Sequence, residues 1–109
     1  MVTVVDPGPD GHTSFYVALT PTRPNWPADM TSAEAEALSG HAALLEAACA
    51  KGLCVVAGPC LDAQLGIAVW DGLTLQALVQ HLESEDPMVV AGYFDASVRA
   101  MRVSFERKG

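Results

Sequence analysis

Basic residues are scarce in this chain. Its 109 residues hold six Lys and Arg against 13 Asp and Glu, for a formal net charge of −7. Nucleic acid selects for a basic face, and anionic membrane surfaces do the same, so neither is an expected partner. No apolar run approaches the ~20 residues needed to span a bilayer. Met1 to Gly11 has no basic residue ahead of an apolar stretch, so no secretory signal is read there, and the expected compartment is the cytoplasm. The three cysteines, Cys49, Cys54 and Cys60, are odd in number and lie in apolar surroundings, which excludes a disulfide framework as the organising principle. Without a CxxC pair a zinc site is not expected, and small apolar side chains filling a core is the plainer reading. A glycine-rich phosphate loop is also missing, so no nucleotide cofactor is expected.

What is present is a compact quota of hydrophobic residues, half of the chain, with only 17% charged. That balance belongs to a folded globular domain, and the length allows only one. Two parts are expected: a flexible leader over residues 1–12, rich in turn residues (Asp6 to Gly11, DPGPDG), and an α+β domain over 13–109.

Within that domain, Ser14 to Thr20 alternates Phe15, Val17 and Leu19 with more polar neighbours, the period-two pattern of a strand with one wetter face. Pro21 to Pro27 (PTRPNWP) holds three prolines and is expected to be stiff and extended, a suitable pocket wall. Thr31 to Glu34 forms a capping box that starts a helix, and Gly52 stops it after Lys51. Leu38, Ala42, Leu45 and Cys49 mark the inner stripe, and His41 sits on its edge. Leu53 to Ala57 reads as a strand buried on both faces. Gln64 to Trp70 follows closely enough for an antiparallel hairpin. Thr74 caps a second helix with Leu75, Leu78, Val79 and Leu82 facing inward. Asp86-Pro87 ends it, and a last strand runs from about Tyr93 to Phe105, with Arg107 and Lys108 as a solvated end.

The order is β-α-β-β-α-β, which predicts a ferredoxin-like fold: a four-stranded antiparallel sheet with both helices on one face. Val, Trp70 and Phe side chains on the second face point to a homodimer packed sheet to sheet.

The run Phe15 to Pro24 (FYVALTPTRP), then Met30-Thr31, His41, Ala57-Gly58-Pro59, and Asp86-Pro87 with Ala91-Gly92, resembles the YciI-like (YCII-related) proteins over roughly Phe15 to Phe105. The resemblance implies a dimeric ferredoxin-like α+β barrel related to muconolactone isomerases and cofactor-free monooxygenases. It also implies an active-site pair at His41 and Asp86. Met88 stands where that family usually has an aromatic.

A histidine where a leucine would pack is costly unless it is hydrogen-bonded or used. His41 is therefore the candidate general acid or base, with Asp86 as the group that orients it; the structural alternatives are a bonded core histidine and a helix cap. Arg23 is the candidate clamp for an anionic substrate, and Trp26 a wall for a flat ligand or a residue of the dimer interface. Gly58 and Pro59 would bring backbone close to that ligand, although a strand-end turn accounts for them too. His12 and His81 are read as exposed. Two functions are consistent with this set. One is a small cofactor-free enzyme of lyase or isomerase type, carrying out elimination, isomerisation or hydrolysis on a small anionic or aromatic metabolite. The other is a non-catalytic dimer that binds a small ligand or serves as an accessory subunit.

Overall fold

A computed structural model describes residues 1–107, so the expected solvated end at Lys108 lies outside the described residues. Eight elements follow one another: β1 (Val2–Asp6), β2 (Ser14–Pro21), α1 (Ser32–Ala50), β3 (Cys54–Pro59), β4 (Gly66–Asp71), α2 (Leu75–Ser84), α3 (Pro87–Val90) and β5 (Phe94–Ala100). The strands form one five-stranded sheet in the order β1-β5-β2-β4-β3. β2 pairs antiparallel with β4 and β5, and β3 with β4, whereas β1 lies parallel to β5.

The architecture is thus α+β, with a mixed five-stranded sheet in place of the expected four-stranded antiparallel one. The extra strand comes from the first twelve residues, expected to be a flexible leader. Val2, Val4 and Val5 favour extended backbone, and β5 offers a free edge to pair with. The chain then turns through Gly8 at φ +69°, where a Cβ would stand 2.7 Å from the Ala100 Cβ; only glycine fits.

The helices start where the caps predict. The Thr31 hydroxyl accepts from the Glu34 amide at 3.1 Å and the Glu34 carboxylate accepts from the Thr31 amide at 2.8 Å. Gly52, at φ +76°, ends α1. The Thr74 hydroxyl caps α2.

One face of the sheet is covered. Phe15, Val17 and Leu19 of β2 meet Ala68 and Trp70 of β4, Ala96 and Val98 of β5, and Leu78, Leu82 and Val89 from the helices. Trp70 and Phe15 are opposite one another in register and belong to this core rather than to the second face. That second face carries Tyr16, Ala18, Val69, Val56, Ser97 and Arg99, as the pairing registers require. β3 is an edge strand and mostly accessible, with Val56 52% exposed, not the doubly buried strand expected from its apolar run. β5 ends at Ala100, five residues before the expected Phe105. Among the described residues no helix is long and apolar enough to cross a membrane.

Candidate functional site

The site lies where α1 fails to close against the sheet. Of the nineteen residues in α1, only Glu34, His41 and Ala48 are buried. The stripe expected to pack inward, Leu38, Ala42, Leu45 and Cys49, instead lines a cavity of about 540 Å³. Its floor is the end of the sheet, at Leu19, Ala57, Pro59 and Ile67, and its far wall is Phe94. Two loops frame it. One, Thr22 to Met30, folds as successive turns, with the Ala28 amide donating to the Asn25 carbonyl and the Met30 amide to the Pro27 carbonyl; the expected stiff extended segment is not formed. The other, Cys60 to Leu65, is tied to the first by the Gln64 side chain, whose Nε2 donates to the Trp26 carbonyl at 2.9 Å. A volume of this size is ordinary for a small-molecule site.

His41 and Asp86, 45 positions apart, meet at the wall of this cavity. The His41 Nδ1 lies 2.8 Å from the Asp86 Oδ2, and both residues are buried, at 8% and 2% exposure. The other carboxylate oxygen, Oδ1, accepts from the Met88 amide at 3.0 Å and caps α3. One side chain therefore does both things that Asp-Pro at a helix start allows: it caps and it orients. Gly40 lets α1 approach α3 closely here: a Cβ there would stand 3.0 Å from the Pro87 Cγ, tight enough that the proline ring would have to give by a few tenths of an ångström.

With Asp86 ionised, the shared proton belongs on His41 Nδ1, and Nε2 presents a lone pair. No hydrogen bond to Nε2 is formed among the described residues, and His41 is part of the cavity lining. The imidazole is set edge-on to Phe94, with ring centroids 5.8 Å apart, and Phe94 in turn meets Trp26 at 5.5 Å. This aromatic file fixes the ring plane of His41 and gives the cavity one flat side.

Four of the six residues singled out from the sequence line the cavity: His41, Trp26, Gly58 and Pro59; Asp86 stands behind His41. Arg23 does not. Its Nε and Nη2 donate to the two Glu34 oxygens at 2.8 and 2.7 Å, and its guanidinium also pairs with Asp29. This fork holds the Glu34 carboxyl at about 2, well below the usual carboxylate range, with the Thr31 amide adding to the effect. The guanidinium itself is held above its ordinary value by the same two acids. Arg23 is thus a brace between the first loop and the start of α1, not a clamp for a ligand. Phe94, Met30 and Glu46 are among the lining residues that were not anticipated. Phe94 is the one with a sequence signal, an aromatic at the start of the strand after Asp86-Pro87.

The other two histidines lie away from the cavity lining, whereas Cys49 and Glu46 belong to it. His12 and His81 are not exposed as expected. The His12 ring bonds to the Met101 carbonyl at 2.7 Å, and His81 packs on Trp70 while its Nδ1 meets Glu85 at 2.6 Å. The three cysteines are free thiols; burial pushes the Cys54 thiol up to about 12. Among the described residues no group of three or more His, Cys, Asp or Glu is placed to hold a metal ion.

Comparison with known proteins adds no assignment: no family model matches the chain, and no curated protein matches it. What the arrangement can do rests on its chemistry. A neutral imidazole held by a buried carboxylate can take a proton through Nε2, and the carboxylate stabilises the imidazolium that forms.

Proposed function

We propose that this protein is a small cofactor-free acid–base enzyme in which His41 moves a proton on a ligand held in the cavity and Asp86 positions it. The observation that carries this reading is the 2.8 Å contact between His41 Nδ1 and Asp86 Oδ2 at the wall of a cavity of about 540 Å³. Elimination, isomerisation and hydrolysis through an activated water all need one such base. The order β5-β2-β4-β3, with α1 and α2 as the crossovers, supports a ferredoxin-like core to which β1 is appended, and supports the YciI-like resemblance. In the same reading two copies associate in the cytoplasm through the open sheet face, where Ala18, Val56 and Val69 sit.

Removal of a carbon-bound proton is the simplest step this site would catalyse. A panel of small carbon acids incubated in D₂O, followed by proton NMR, reads it directly. Wild-type protein exchanges at least one member, and His41→Gln and Asp86→Asn each slow that exchange by roughly 10²-fold or more. Exchange that persists unchanged in both folded variants contradicts the proposal. The binding-module reading is favoured by how few polar groups line the cavity, and it predicts ligand binding with no exchange in any protein.

A further inference from the structure

We infer that the site takes an uncharged, largely apolar ligand that presents one acidic O–H or N–H to His41 Nε2, and that it discriminates against carboxylates. This rests on the role assigned to His41 above and names the kind of molecule it acts on.

The charge around the cavity is the first reason. The arginine that could have received an anion is bound to Glu34 and Asp29 and does not reach the lining. Among the described residues no Lys or Arg lines the cavity, whereas Glu46 does. In the neutral-imidazole form that the proposed base requires, His41 and an ionised Asp86 behind it together carry one net negative charge. A carboxylate entering here would lose its hydration, meet no cation, and face two negative groups.

Hydrogen-bonding capacity is the second reason. Nδ1 is committed to Asp86, so Nε2 is an acceptor and looks for a donor. A neutral hydroxyl or enol supplies one; a carboxylate has only acceptors. Transfer of that proton to Nε2 leaves an imidazolium beside Asp86 and an anionic ligand oxygen beside the imidazolium. The negative charge thus develops after binding, next to the one group that has just become positive. Shape is the third reason. Trp26 and Phe94 give a flat aromatic wall, and Leu19, Leu38, Leu45 and Ile67 close the other sides, which suits one or two fused rings better than a sugar or a phosphate.

Isothermal titration with 1-naphthol and 1-naphthoate at neutral pH tests this, because the two share a ring and differ in charge and donor. The naphthol binds about tenfold or more tightly than the naphthoate, and Glu46→Lys, at a solvent-exposed position of the cavity lining, narrows the gap by about threefold. Ring signals of His41 and Trp26 move with the naphthol in NMR spectra. Equal or tighter binding of the naphthoate, or no binding of naphthol up to its solubility limit, or shifts confined to other residues, overturns the inference. The two proposals fail separately. Naphthol binding without any His41-dependent exchange removes the catalytic reading and leaves the ligand class; His41-dependent exchange with a preference for naphthoate does the reverse.

Discussion

α1 and α2 both carry apolar side chains at helical spacing, α2 with a sharply one-sided pattern and α1 without one, and they use them differently. In α2, Leu78 and Leu82 are 0% and 2% exposed and belong to the hydrophobic core with Phe15, Trp70 and Val98. In α1 the corresponding stripe borders the cavity, and the residues that α1 does bury are small or polar: Ala48, His41 and Glu34. Two of those three are held by specific partners, His41 by Asp86 and Glu34 by Arg23. α2 is thus fixed to the sheet by apolar burial, and α1 is pinned at one point by a fork of charges and at another by the His41–Asp86 pair. A helix held this way can stand off the sheet far enough to leave room for a ligand.

Substitutions at the two helices should separate these modes of attachment. The largest effect is expected at Leu78→Ala, where a fully buried side chain leaves a void in the core; urea denaturation should show a loss of about 3–4 kcal/mol. A loss below ~1 kcal/mol would mean the α2 side is no better packed than the α1 side. Next is Asp86→Ala, which strips α3 of its cap and leaves the His41 Nδ1 proton unpaired, for about 2–3 kcal/mol. Asp86→Asn, which keeps an oxygen for the Met88 amide, should recover roughly half of that.

A third, smaller effect is pH-dependent. The Glu34 carboxyl is lowered from 4.5 to about 2 by Arg23 and the Thr31 amide. A depressed carboxyl contributes stability above its unfolded value and loses it as pH falls through the folded one, so this contribution is complete above pH 4.5 and fades between 4.5 and about 2. Thermal melts across that window should fall for the wild type, and part of the slope should vanish in Glu34→Gln. Arg23 is one-third accessible, so added salt should weaken the effect. Smallest of all should be Leu38→Ala on the cavity side of α1, at less than ~1 kcal/mol, with a loss of naphthol affinity in its place. A destabilisation matching that of Leu78→Ala would show the α1 stripe to be packed rather than lining.

These contrasts also show what could be read from the chain itself. The strand at Ser14, both helix starts and the hairpin of β3 with β4 are written locally, in period-two alternation, in a capping box and in short connections, and they form where expected. Long-range partners are not written that way. β1 depends on an edge offered by β5, some ninety residues later, and the turn-rich Asp6 to Gly11 obscured a valine-rich segment beside it. The parity of Trp70 follows from its register against Phe15, which fixes the face only once the pairing is known. Glu34 was legible as half of a capping box, but its hold on Arg23, eleven positions away, was not; that second role withdrew the expected anion clamp. An apolar stripe at helical spacing has the same appearance whether it packs or lines a cavity, because apolar side chains serve both. His41 stood out for a different reason: an imidazole among leucines needs a partner, and Asp86 is that partner.

The most direct test of the account is the protonation pattern of the His41 ring, read by long-range ¹⁵N–¹H NMR correlations at alkaline pH, where histidine imidazoles are neutral. The account predicts that His41 carries its proton on Nδ1 in the wild type and shifts toward the Nε2–H form in Asp86→Ala. A wild-type ring protonated on Nε2, or the same pattern in both proteins, would contradict a His41 held by Asp86 with its free nitrogen ready for a ligand.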